Sequence, residues 1–172
     1  MNSEIENLFT YDISLIYEDK TFTDIKDLYI KLKNSFLLKV WYEENVEYYS
    51  IYNKKTTAEL NQKVFKSILN SSVILICLTK SFLTVERFNE QLKFIMKCEK
   101  PCLVLLLDKI DINEVLKDLY IKNNQKLNKF NVIDFNSNFY STYEKWSGAT
   151  YYVLLTILNE YLLESSCFIA TK

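Results

Sequence analysis

The chain has 172 residues, a formal net charge of −1 and a hydrophobic fraction of 49%, which is typical of one globular domain and not of a disordered or fibrous chain. It contains no histidine and single copies of glycine (Gly148), proline (Pro101) and arginine (Arg87). Without histidine, Ser-His-Asp and Cys-His catalysis and histidine-containing zinc sites are excluded within this chain. With one glycine, the glycine-rich phosphate loops of nucleotide-binding folds are excluded as well.

Charge and hydropathy also limit the partners. The lysines are scattered and form no basic stripe, so we do not expect nucleic acid to bind. The longest apolar runs, 73–78 and 103–107, are too short to span a bilayer, and the acidic N-terminus has no apolar segment typical of a secretory signal. We therefore expect a cytoplasmic protein without membrane insertion. The four cysteines are predicted to be free thiols: Cys77, Cys98, Cys102 and Cys167.

The first half of the chain alternates strand and helix patterns. Residues 12–17 are mostly β-forming and predict a first strand. Apolar residues then recur at i, i+3, i+4 and i+7 over 25–32, the stripe of an amphipathic helix. Residues 37–42 predict a short second strand. The Thr-x-x-Glu spacing from Thr56 to Glu59 is that of a capping box, which predicts the start of a second helix.

The second half continues the alternation. Residues 73–78 form a continuous apolar strand, which indicates burial on both faces in the middle of a parallel sheet. A helical stripe over 85–96 follows, and Pro101 precedes a fourth predicted strand at 102–107. The remaining predictions are a short helix at 113–120, a fifth strand at 131–135 and a final helix at 149–163.

This order of elements predicts an α/β fold. Alternating strands and helices imply right-handed crossovers and parallel strands, so we expect a three-layer flavodoxin-like sandwich, a five-stranded parallel sheet with helices on both faces. Ligands in such sheets bind beyond the carboxyl ends of the strands. Candidate site residues are therefore expected after positions 17, 42, 79 and 107.

Four segments lie in the order and spacing of one known family. They are 11–20 (YDISLIYEDK), 39–43 (KVWYE), 70–76 (NSSVILI) and 79–83 (TKSFL). Together they resemble the first three strands and the segment after the third strand in TIR (Toll/interleukin-1 receptor) domains. The resemblance implies a TIR-like domain over 10–164, with tails at 1–9 and 165–172. It also implies a role in signalling or defence through association with other TIR domains, self-association included.

One departure from the family lies after the second strand. TIR domains usually have a glycine-containing loop there that contacts other TIR domains, whereas residues 44–55 contain neither glycine nor proline. They carry Tyr48, Tyr49 and Tyr52 instead. Two interpretations stay open: these tyrosines pack partly into the core, or they form an adhesive surface, since tyrosine gives contact area at low entropic cost.

A second departure concerns catalysis. TIR domains that cleave NAD resemble one another in a Trp-Cys-x-x-Glu-Leu pattern on the third helix, and the ungapped match here places Arg87 at the tryptophan and Gln91 at the glutamate. At about 100° per residue, Gln91 lies at the border of the apolar face, where its side chain could reach a cleft, and Glu90 points to solvent. Glutamine cannot replace a carboxylate as nucleophile or cation stabiliser.

The leading hypothesis is therefore a TIR-like interaction module without catalysis and without a cofactor. The alternative is an NAD glycohydrolase or cyclising enzyme, with NAD as substrate and Glu90 as the candidate catalytic carboxylate. In that case the resemblance assigns NAD contacts to Tyr17, Asp19, Lys20, Trp41 and Gln91. A flavodoxin-like domain unrelated to TIR domains is a third possibility.

A metal site is not predicted, although one pattern leaves it open. Several acidic residues fall at predicted strand ends and could converge on a divalent cation at the carboxyl edge. They are Glu18, Asp19, Glu43, Glu44 and Asp108.

Overall fold

Five parallel strands form one sheet in the computed structural model, which describes residues 10–18, 21–43, 57–115, 117, 130–136, 146 and 149–170. The strands are β1 (Tyr11–Ile16), β2 (Val40–Trp41), β3 (Ser71–Leu78), β4 (Cys102–Leu106) and β5 (Phe130–Asp134). Their order across the sheet is β2-β1-β3-β4-β5, and every neighbouring pair is parallel. This is the flavodoxin-like strand order. The predicted fold class is confirmed.

Helices cover both faces of the sheet. They are α1 (Phe22–Phe36), α2 (Thr57–Leu69), α3 (Lys80–Thr84), α4 (Glu86–Lys97) and α5 (Ala149–Ala170). α1 and α5 share one apolar core with one set of alternating strand side chains, and α2, α3 and α4 share a second core with the other set. The result is three layers, because successive side chains of a strand point to opposite faces.

β3 lies in the middle of the sheet, between β1 and β4. Val73, Leu75 and Cys77 belong to the core under α1 and α5, and Ile74 and Ile76 to the core under α2 and α4. All five are completely buried. The continuous apolar run therefore predicted its position correctly, since only a central strand covered on both faces requires apolar residues at every position.

The second strand is shorter than predicted, with two residues in place of 37–42. Leu37 has a φ of 54° and ends α1 in the left-handed conformation, which a strand cannot contain. Pairing begins only at Lys39, whose carbonyl accepts from the backbone N–H groups of Asp12 and Ile13 at 2.8 and 3.2 Å. Glu99 is also left-handed, so this chain uses leucine and glutamate at positions where glycine is typical.

The helices differ from the predictions in two places. α3 was not predicted, and it begins because Thr79 Oγ1 accepts from the backbone N–H of Phe82 at 3.1 Å. The last helix runs to Ala170, beyond the predicted end at 163. Of the predicted helix at 113–120, only 113–115 and 117 are described, and they are helical. Within the described residues, none of the helices has the length and apolar character needed to cross a membrane. The domain boundaries 10 and 164 stay predictions.

Candidate functional site

A buried carboxylate lies at the carboxyl edge of the sheet, between the neighbouring strands β1 and β3. The chain continues from β1 to α1 on one face of the sheet and from β3 to α3 on the other face. Glu18 follows Tyr17 after the end of β1 and is 4% exposed. Its Oε1 accepts from Thr79 Oγ1 at 2.7 Å and from Ser81 Oγ at 2.5 Å. A buried carboxylate requires such donors to offset its lost hydration. Thr79 thus links β1 to the start of α3, because it caps that helix as well.

A second polar cluster joins β2 to two helices, and we call it the Arg87 network: Glu43, Asn61, Arg87 and Gln91. Arg87 Nη2 donates to Glu43 Oε1 and Oε2 at 2.8 and 2.7 Å, and Arg87 Nε donates to Asn61 Oδ1 at 3.2 Å. Gln91 Nε2 donates to the same Asn61 oxygen at 2.9 Å. Asn61 Nδ2 completes the cluster by donating to the Arg87 carbonyl at 2.9 Å.

The Arg87 network is almost closed to solvent. The side chains of Arg87 and Glu43 are 9% and 16% exposed, and Asn61 and Gln91 are 0% and 2% exposed as residues. Tyr17, itself in the core, donates its hydroxyl to the Glu43 carbonyl. Opposite charges and neutral amides therefore satisfy one another inside the network, and they fix the end of β2 to β1, α2 and α4.

Gln91 lies at the border of the apolar face of α4, but α2 covers this border. It was expected at a border where its side chain reaches a cleft, but it is buried and its amide is bonded to Asn61. The reason is tertiary: α2 packs along α4 and covers that border, which the phase of one helix cannot show. Glu90 does point outward as predicted, with its side chain 47% exposed and 3.0 Å from the ammonium of Lys93.

The remaining candidate residues fall into two groups. Of those assigned to NAD under the alternative, Tyr17 is buried, and Trp41 is half-buried beside a cavity of about 370 Å³ at the amino edge, which Tyr11 and Lys66 also line. The structure does not bring Trp41 into the Arg87 network. The other predicted residues lie outside the described part of the chain: Asp19, Lys20, Tyr48, Tyr49 and Tyr52.

Asn61 is the site residue that sequence reasoning missed. It lies three and four residues before Val64 and Phe65, in phase with the apolar stripe of α2. A polar residue at such a position signals a buried hydrogen-bonding partner. That signal was present in the sequence, but the partners on α4 lie 26 and 30 positions away and only the fold brings them together.

The described acidic residues at strand ends each bind a protein group. Glu18 accepts from two hydroxyls, Glu43 pairs with Arg87, and Asp108 Oδ2 accepts from the backbone N–H of Lys80 at 2.8 Å. Among the residues that the structure describes, no three or more Cys, Asp and Glu side chains form a group able to hold a metal ion. The open possibility of a cation site at this edge therefore gains no support.

A basic group with a shifted pKa lies on the opposite edge of the sheet. Lys100 Nζ donates to the carbonyls of Ile68, Leu69 and Ser71 at 2.7, 2.5 and 2.8 Å. Burial lowers the pKa of Lys100 to about 8. Burial also raises the pKa of the neighbouring Cys98 thiol, while Cys77 and Cys102 are in no disulfide and are fully buried. The side chain of Cys167 lies outside the described part.

Comparison with known proteins identifies only a structural likeness. No protein-family model matches the chain, and no curated protein matches it. Among solved structures, the chain is similar to the crystal structure of the TIR domain of the Toll-related receptor TRR-2 from Hydra magnipapillata, at 14% sequence identity and a TM-score of 0.45. The match covers 67% of this chain and 95% of that chain. At this identity the likeness concerns the fold alone.

Proposed function

We propose that the chain is a TIR-like signalling or assembly module that associates with other TIR domains, copies of itself included, and does not cleave NAD. The sequence segments that resemble the family support this assignment, because they fall on β1, β2, β3 and the start of α3. The flavodoxin-like strand order is the one that the resemblance implies.

The main support for the absence of NAD cleavage is the chemistry and burial of Gln91. Its position matches the family's catalytic glutamate, yet its side chain is a neutral amide, 2% exposed and bonded to Asn61. The charged groups of the Arg87 network, Arg87 and Glu43, are paired with each other. A nucleophile or cation-stabilising carboxylate at this position is therefore missing, and the space that it would face is filled by the Arg87 network.

The alternative of NAD cleavage by Glu90 has less support. Its carboxylate is half-exposed and pairs with Lys93 on the outer surface of α4, on the other side of the helix from the buried Phe88 and Leu92. Carboxylates that stabilise an oxocarbenium-like centre act in sites that exclude water. An exposed surface ion pair provides no such enclosure.

Two further parts of the proposal depend on sequence. The contribution of Tyr48, Tyr49 and Tyr52 to association is proposed from their composition and their place after β2. A cytoplasmic location is proposed because no cysteine is in a disulfide in the described part of the chain, which is typical of reducing compartments. No cofactor is proposed.

Incubation with NAD tests the catalytic part. The parent chain, Glu90→Gln and Gln91→Glu are incubated with NAD, and nicotinamide and ADP-ribose are separated by chromatography. We expect no turnover in the parent or in Glu90→Gln. Turnover in the parent that disappears in Glu90→Gln contradicts the proposal. Activity in Gln91→Glu alone means that a cleft with the family's shape lacks only its carboxylate.

Sedimentation velocity over a wide range of concentration tests association. We expect the parent chain to self-associate as its concentration rises. We expect the combined substitutions Tyr48→Ser, Tyr49→Ser and Tyr52→Ser to weaken this self-association. A chain that stays monomeric at every concentration contradicts the proposed self-association. If the parent chain self-associates and the serine substitutions leave this unchanged, only the proposed role of the tyrosines is wrong.

A further inference from the structure

An open groove lies at the amino edge of the sheet, on the opposite edge from the Arg87 network. It has a volume of about 520 Å³ and is formed by the last turns of α1 and the starts of β1 and β2. Partly buried Tyr29, Leu38 and Val40 give it an apolar floor. Leu37 forms its rim and is 86% exposed, with Phe36 beside it at 47%. Exposed large apolar side chains next to a groove are typical of an interaction surface.

The charged rim of this groove is basic. Lys33 and Lys39 both line it and are exposed. In the part of the chain that the structure describes, neither ammonium group is paired with a carboxylate. Lys33 lies over the Tyr29 ring at 5.6 Å, which holds its charge beside the groove. The groove thus fits an apolar side chain that has carboxylates beside it.

The last turns of α5 present that combination. Leu163 is 56% exposed, and the exposed Glu160 and Glu164 lie three residues before it and one residue after it. Neither carboxylate is in an ion pair within the described residues. Glu160 and Glu164 are four residues apart and share a helix face, so both carboxylates lie on the same side of Leu163 on the helix surface.

Both surfaces lie at the same edge of the molecule. Tyr161, within these turns of α5, shares a hydrogen bond with Asn131 near the amino end of β5. The groove contains Thr10 and Tyr11 at the amino end of β1. Two copies that meet at their amino edges about a two-fold axis can therefore form the same contact twice, as isologous dimers do.

We propose that a second copy of this chain inserts Leu163 of its α5 into the α1–β2 groove, where Lys33 and Lys39 pair with Glu160 and Glu164 of that copy. The inference rests on the proposed function, since it names a surface for the self-association of the same module. It places the contact away from Tyr48, Tyr49 and Tyr52, so the two surfaces are separable by substitution.

Charge reversal with complementation tests the ion pairs. One variant carries Lys33→Glu and Lys39→Glu, and the other carries Glu160→Lys and Glu164→Lys. Each variant alone brings like charges together, and we expect its self-association in sedimentation velocity to be weaker by at least about tenfold. An equimolar mixture restores opposite charges at both contacts, so we expect association to return. Parent-like association of the single variants, or a mixture as weak as its components, overturns the inference.

Apolar substitution with a matched control tests the insertion. Leu37→Asn tolerates the left-handed backbone, and Leu163→Gln changes an exposed position, so both chains fold and thermal melting verifies this. We expect both to weaken association severalfold. Leu69→Gln is the control, because Leu69 is 54% exposed and lies on α2, outside both surfaces. Equal association of all three chains and the parent overturns the inference.

The outcomes also separate this inference from the proposed function. If the parent associates and only the tyrosine substitutions weaken it, the module self-associates through another surface and the groove contact is wrong. If the parent is monomeric at every concentration, the proposed self-association and the groove contact are both wrong.

Discussion

The guanidinium of Arg87 pairs with the carboxylate of Glu43 across 44 positions of sequence, with Nη2 at 2.8 and 2.7 Å from the two oxygens. The pair lies beside Gln91, the position that the sequence resemblance matches to the glutamate of NAD-cleaving TIR domains. The pair has a structural role, because it joins the end of β2 to α4.

Removal of Arg87 should destabilise the fold. In Arg87→Met the carboxylate of Glu43 stays largely buried without its partner, and we expect the free energy of unfolding to fall by about 3 kcal/mol. Urea denaturation followed by circular dichroism measures this. The double variant Arg87→Met/Glu43→Leu should regain most of the loss, since a buried ion pair is often replaceable by apolar residues. A double variant as unstable as the sum of its single variants contradicts the coupling.

Asn61 gives a second and less intuitive prediction. Asn61→Leu completes the apolar stripe of α2, yet it leaves Arg87 Nε, Gln91 Nε2 and the Arg87 carbonyl without the partner that they have now. We expect a loss of about 2 kcal/mol in the free energy of unfolding. Gln62→Leu, at the exposed neighbouring position, is the control and should change it by less than about 0.5 kcal/mol. A gain in stability for Asn61→Leu contradicts the network.

Sequence reasoning succeeds in this chain where the residues of one segment decide the environment of that segment. The continuous apolar run of β3 predicts its central place because burial on both faces is required of each residue. Helical phase predicts that Glu90 is exposed, since that depends on one helix only. Gln91 and Asn61 could not be placed in the same way, because their environment is made by the packing of α2 on α4. β2 was overestimated because Leu37, a residue tolerated in strands, adopts a left-handed backbone instead.

Leu37 leads to a prediction on backbone strain. Its φ of 54° costs about 1 kcal/mol for a residue with a Cβ atom, and glycine avoids this cost. Because Leu37 is exposed, Leu37→Gly removes little packing, and we expect it to be neutral or to raise the free energy of unfolding by up to about 1 kcal/mol. Leu37→Ala keeps the Cβ atom and is the matched control, which should not gain. The same glycine variant should self-associate more weakly, so stability and association should change independently. Urea denaturation and sedimentation velocity of the same samples check both.

Lys100 makes stability depend on pH. Burial lowers its pKa from 10.5 to about 8 in the folded chain, so between these values the unfolded chain binds more protons than the folded chain. The free energy of unfolding therefore rises with pH across this window, relative to a chain without the amine. The raised pKa of Cys98 acts in the opposite direction near the same pH, so both chains in the comparison should carry Cys98→Ser.

The measurement is urea denaturation of the Cys98→Ser chain with and without Lys100→Met, at intervals from pH 7 to pH 10. We expect the difference in unfolding free energy to move in favour of the lysine chain above about pH 8. A constant difference means that Lys100 titrates equally in both states. A difference that moves the other way means that the three carbonyl contacts stabilise the ammonium more than burial penalises it, because donation to the C-terminal carbonyls of α2 favours the charged form.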